Sequence, residues 1–350
     1  MSKNGTSSSQ QRATAFHDPK GLPPRLKFTY NGALFVIAAL LFVVFGIFDA
    51  TFFTYSYILE TVKMVIEIAI MALPITLIII SGGIDFSMSS ILVLSAVCGG
   101  VAARWTNPWI GIAVALLVGI LCGIFNGALI AKLKLPPLVT TLATMYLFKG
   151  MAEGMTLGLP SVGASVSGTV ITNYFGTGNF LGFPAQIWVY IILGIVFHLL
   201  LAKTYFGRSL YAIGLNENGA RFSGINIAAV KIMMYGLGGL IFAIAGVVFI
   251  GRFSVVKFDS ADLLTLQVIT AVVLGGTNIA GGSGNIKGTV LGVAIIGILK
   301  GGLNVLFVPQ TQQKIILGII LLLSLVIFAV IEGIGKRNAP LDNAAAVPET

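Results

Sequence analysis

The sequence predicts an all-α integral membrane protein of about ten transmembrane helices, and three observations predict it. Of 350 residues, 57% are hydrophobic and 9% charged, whereas soluble domains carry roughly a quarter charged; the mean hydropathy is +0.99. The apolar residues come in runs that suit helices of about 20 residues, the length that crosses a hydrocarbon core of about 30 Å. The 43 glycines are scattered through those runs without a Gly-X-Y period, as close helix packing and Gly-rich helix breaks in a membrane bundle require.

Taken in order, residues 1–27 are polar, hold Pro19, Pro23 and Pro24, and offer little to bury, so they read as a disordered cytoplasmic tail. The transmembrane domain is expected over 28–335, with helices at 32–48, 62–81, 87–105, 109–131, 138–152, 186–202, 232–250, 263–280, 286–305 and 312–332. The fifth and eighth are short for a full crossing and are expected to be partial or re-entrant. Residues 336–350 form a second polar tail. With the N-terminus in the cytoplasm, 14 of the 21 Lys and Arg residues fall on the cytoplasmic side, the bias that sets orientation. Both termini and 204–231 are therefore expected inside, and 153–185, which carries no Lys or Arg, outside.

The net charge of +9 does not point to nucleic acid, because the basic residues lie in small groups between apolar runs and form no aromatic-interleaved stripe. Cys98 and Cys122 sit in apolar segments without CxxC spacing or a neighbouring histidine, so no metal site or disulfide framework is expected. Lys63 and Glu67, four apart, are expected to pair on the second helix. Beyond Glu67 and Asp85 the spans offer little charge, which suits an uncharged, hydroxyl-bearing solute and disfavours the alternative of a stand-alone ion-coupled transporter.

Three segments carry the candidate chemistry. In SGGIDFSMSS (81–90) paired glycines break a helix ahead of Asp85 and Ser87; Asp85 is either a helix cap or a polar group on a translocation pathway. TYFGRSLYAIGLNENGARFSGINIAAVK (204–231) is the one long mixed-charge segment between spans. GGTNIAGGSGNIKGT (275–289) is Gly-rich but lacks the Gly-Lys-Ser/Thr tripeptide of a phosphate loop, so no nucleotide site is expected in this chain. Two helix breaks in the two halves point to a substrate site at their junction. Asp85, Ser87, Asn126, Gln267, Asn278 and Asn304 are the pathway candidates, and no catalytic residue is expected.

GGIDFSMSS (82–90), FGRSLYAIGLNENGARFSGI (206–225) and LGGTNIAGGSGNIKGTVLG (274–292), followed by GLNVL (302–306), lie in one order and spacing. Over residues 57–335 the chain thereby resembles permease subunits of bacterial ATP-binding-cassette importers of the ribose, galactose and xylose type, a group related to the branched-chain amino-acid permeases. The resemblance implies alternating access in the inner membrane. It also implies that Gly214, Asn216, Glu217, Ala220, Arg221, Ser223 and Gly224 lie at or near a coupling contact with a cytoplasmic ATPase. ATP and Mg would be bound by that partner and no cofactor by this chain. Further implied partners are a second permease copy or a sister subunit, and an extracytoplasmic solute-binding protein.

Overall fold

The computed structural model describes residues 24–156, 171–256 and 261–337. Helix α1 (Pro24–Phe48) leads through a 3-10 turn (Ala50–Phe53) to α2 (Tyr55–Met64), α3 (Ile66–Ile80), α4 (Met88–Trp105), α5 (Pro108–Lys132) and α6 (Pro137–Thr156). A π-helical turn (Ile171–Gly176) and a hairpin of two-residue strands, β1 (Asn179–Phe180) and β2 (Phe183–Pro184), precede α7 (Ala185–Lys203). Two short helices, α8 (Tyr205–Leu215) and α9 (Glu217–Phe222), then lead to α10 (Ile227–Phe253), α11 (Leu264–Leu274), α12 (Ile286–Val305) and α13 (Gln310–Arg337).

The helix starts follow from side chains that satisfy free amides. Asn107 Oδ1 accepts from the Ile110 N–H at 3.0 Å ahead of Pro108, Asn226 from Ala229 at 3.0 Å and Asn285 from Gly288 at 2.7 Å, each a side-chain N-cap. All fifteen residues of α3 are buried, and α4, α10 and α12 are buried along most of their length. In α1, α5 and α7 the exposed side chains are themselves large and apolar, among them Phe35, Leu40, Leu117, Leu121, Ile192 and Ile195. An apolar exterior around an apolar core suits lipid as the solvent.

Helices α5 and α10 cross through glycine. Gly119, Gly123 and Gly127 repeat every fourth residue on α5; a Cβ on Gly127 would lie 2.8 Å from Ile232 Cα, and one on Gly123 would strike the Tyr235 carbonyl. Small residues at this spacing bring membrane helix backbones together.

Each of the ten predicted stretches meets helix, with differences that have local causes. Among the described residues six helices are long and apolar enough to cross a membrane, or seven if α2 and α3, bent by 48°, form one broken span. The bend falls at Val65, so the second predicted helix is two pieces. Helix α6 runs to Thr156, but Thr140, Thr141, Lys149 and Glu153 dilute its apolarity. Helix α11 ends at Leu274 because Gly275 and Gly276 follow, making the eighth predicted span a half-length helix. Residues 24–27, assigned to the disordered tail, begin α1. Residues 1–23 and 338–350 of the two tails, and 157–170 of the 153–185 segment, lie outside the described residues.

Helix α10 sets the long axis. At 27 residues it is roughly 40 Å long, with α8 and α9 near its start and the α2–α3 bend near its end, where Arg252 meets Glu67.

Candidate functional site

Both Gly-rich breaks meet at the α8–α9 end. Gly82 and Gly281 adopt φ of +80° and +90°, a region that a Cβ disfavours. A Cβ on Gly281 would lie 3.0 Å from Gly82 Cα, and the Gly282 N–H donates to the Ile80 carbonyl at 2.8 Å. Segment 204–231 packs into this junction. A Cβ on Gly214 would lie 2.6 Å from the Gly282 nitrogen and strike the Ile80 carbonyl, and Tyr211 Oη donates to the Gly284 carbonyl at 2.7 Å. Helix α8 thus touches both breaks at once.

A buried polar chain runs from the first break. Asp85 Oδ1 accepts from the Ser87 N–H at 2.8 Å and from the Ser87 hydroxyl at 2.6 Å, while Asn126 Nδ2 donates to Ser87 Oγ at 2.7 Å. Asp85 therefore does not cap α4 directly; it holds Ser87, the N-cap residue, in an Asx turn. Burial pushes the Asp85 carboxyl up to about 6, opposed by its Ser87 hydrogen bonds. Asn126 Oδ1 and Tyr235 Oη are buried without a partner among the described residues, and unsatisfied atoms of this kind are costly unless water or a ligand reaches them. A cavity of about 200 Å³ lies beside the first break and α8, lined by Ser81, Gly83, Gly214, Glu217, Lys231 and Tyr235.

At the opposite end of α10 lies a charged cluster. Arg252 donates to Glu67 Oε2 at 2.9 Å and also to the Lys63 carbonyl, while Lys63 pairs with Glu60 at 2.7 Å. The Lys63–Glu67 pair expected from i,i+4 spacing is therefore not formed, because the helix breaks at Val65 between the two residues. Lys300 Nζ donates to Gln267 Oε1 at 3.3 Å, and Gln313 Nε2 to Asn304 Oδ1 at 2.7 Å. The bundle holds more charge than its spans seemed to offer, since Arg252 turns inward from the last turn of α10 and Lys300 from within α12. Paired charges are affordable where lone ones are not.

The six pathway candidates thus divide. Asp85, Ser87 and Asn126 form one buried chain; Asn278 turns back on the Ala280 N–H at 2.9 Å within the second break; Gln267 and Asn304 belong to the distant charged cluster. Of the seven coupling candidates, Asn216, Glu217, Arg221, Ser223 and Gly224 are exposed, Ala220 is buried and Gly214 is wedged between the breaks. Sequence reasoning missed Tyr211, Tyr235 and the buried hydroxyl pairs Thr76–Thr289 (2.7 Å) and Ser89–Thr265 (2.6 Å), which tie α3 to α12 and α4 to α11. Arg252 and Lys300 did carry a signal, as basic residues outside the segments expected in the cytoplasm.

Residues 57–325 match the family described as branched-chain amino acid transport system / permease component. The chain is 38% identical to the ribose import permease protein RbsC of Bacillus subtilis (strain 168) over 293 residues, 82% of this chain and 89% of that protein. It is 35% identical to the ribose import permease protein RbsC of Escherichia coli (strain K12) over 277 residues, 79% and 86% of the two chains. With the autoinducer 2 import system permease protein LsrD of Klebsiella pneumoniae it shares 34% identity over 300 residues, 85% and 90%. No solved structure matches it.

Proposed function

Because the chain belongs to the family of branched-chain amino acid transport system permease components, we propose that it is the membrane-spanning permease of an ATP-driven importer for a monosaccharide or sugar-like solute. The similarity to ribose and autoinducer 2 import permeases supports that cargo class. In this reading the chain crosses the bacterial inner membrane about ten times with both termini in the cytoplasm. It pairs with a second copy or a sister permease, and ATP hydrolysis takes place on a separate subunit.

One observation carries the coupling step: α8 packs on both helix breaks at once. A subunit seated on α9 and moving with its ATP cycle would push α8 against Gly82 and Gly281. The polar chain of Asp85, Ser87 and Asn126 would then be repositioned between an inward-open and an outward-open state. Two packings of the same helices, biased by a partner, are what alternating access requires.

The test is uptake of labelled ribose into proteoliposomes holding the permease and its ATPase subunit, with the solute-binding protein outside. Uptake should depend on ATP hydrolysis and exceed uptake of labelled leucine under the same conditions. Uptake that needs no ATPase and follows an imposed proton gradient would replace this reading with an ion-coupled transporter.

A further inference from the structure

A second, larger recess opens beside the α8–α9 end, with a volume of about 540 Å³, between the 132–137 connection and the start of α10. Its charged lining is Lys134, Arg221, Lys231 and Glu217. Glu217 bonds Lys231 at 2.7 Å and lies 3.8 Å from Arg221, so one carboxylate is shared by two cations. Lys134 has no ion-pair or hydrogen-bond partner among the described residues. The recess therefore carries two positive charges in excess. The rest of the lining is largely apolar, with Ile130, Pro136, Pro137, Ile225 and Ile227, and the chain next to Lys134 exposes Leu133, Leu135, Leu138 and Val139.

Cationic side chains beside exposed apolar ones, at the end of helices long enough to span a bilayer, fit an amphiphile better than a soluble anion. We propose that this recess binds the phosphate of an anionic phospholipid headgroup, with Lys134, Arg221 and Lys231 around the phosphate and acyl chains along Leu138 and Val139. Clustered Lys and Arg at a membrane surface attract anionic lipids in this way. Free phosphate offers the same anion without the chains, and the exposed apolar side chains are what favour the lipid. The inference rests on the chain being a membrane protein and not on what it transports. A failure of sugar uptake would leave it standing.

The experiment is thermal unfolding of the purified permease in a neutral detergent, titrated separately with phosphatidylglycerol, phosphatidylcholine and inorganic phosphate. Phosphatidylglycerol should raise the midpoint in a saturable way, since a ligand of the native state stabilises it, while phosphatidylcholine and phosphate should not. Lys134→Glu should raise the phosphatidylglycerol concentration at half-effect by at least about tenfold. Lys134→Gln should raise it by a smaller factor, and keeps the test readable if the charge reversal unfolds the protein. Equal shifts from the two lipids, an unchanged response in both variants, or a matching shift from inorganic phosphate alone would each overturn the assignment. Arg221 lines the recess while Phe222 is the outward residue of α9, so the response should survive binding of the ATPase subunit; its loss on that binding would overturn the assignment and give this face to a protein partner.

Discussion

Arg252 reaches Glu67 across 185 residues of chain and closes the contact at 2.9 Å, with only 17% and 3% of the two side chains exposed. Glu67 Oε1 has no partner among the described residues, so Arg252 is the main group holding the charge in place. Removing one member of such a pair strands the other in an apolar setting, at about 3–5 kcal/mol, whereas replacing both with apolar groups is often close to neutral. Arg252→Met should accordingly lower stability by about that amount, and adding Glu67→Leu should restore most of it, as measured by chemical unfolding in micelles. A double variant as unstable as the single one would show that the two side chains are not coupled.

Helix α9 is one and a half turns of chain between two fixed points, the Asn216 cap, which accepts from Gly219 N–H at 2.9 Å, and the turn at Gly224, with φ +80°. Its outward and inward faces differ sharply: Phe222 is 93% exposed and Ala220 5%. A fully exposed aromatic at the end of a rigid short helix is the kind of anchor that dominates an interface. Ala220, one of the residues the resemblance places at or near the ATPase contact, is buried against its own chain. Phe222→Asp should therefore leave the amount of permease in the membrane unchanged and reduce co-purification of the ATPase subunit by about tenfold or more. Ala220→Trp should lower the amount of folded permease itself. Full co-purification with Phe222→Asp would move the docking surface away from α9.

Across the whole molecule, the hairpin and α9 lie at opposite ends of α10, roughly 40 Å apart, more than the hydrocarbon thickness of a bilayer. Asn218 and Asn179 are both exposed. In a variant lacking Cys98 and Cys122, single cysteines at these two positions should react with an impermeant reagent from opposite sides, Asn218→Cys from the cytoplasm and Asn179→Cys from outside. Labelling of both from one side would sink the topology, and with it the idea that α8 and α9 face an ATPase.

Composition and period determined that this chain lives in lipid, roughly where its helices run, and two of the Gly-rich segments that break them, though not the bend at Val65. The apolar runs are a property of local sequence, since they have no other solvent; Gly82 and Gly276 end helices at φ of +80° and +85°, whereas the pairs Gly99–Gly100, Gly238–Gly239 and Gly301–Gly302 stay inside α4, α10 and α12, so paired glycine marks a candidate break and packing decides which is used. The helix at 286–305 was read to the residue because Asn285 and the turn after Val305 mark its ends. The partners of the side chains depended on the tertiary structure. Glu67 took Arg252 in preference to Lys63 because a bend at Val65 reset the helical spacing. Asn126 met Ser87, and Gly214 met Ile80 and Gly282, because α5 and α8 approach the same junction from distant parts of the chain. A charge or amide in a span reveals in sequence that it must be satisfied, since the cost of leaving it bare is set by lipid. What satisfies it is decided by which helices lie beside it, and that is a property of the packed bundle alone.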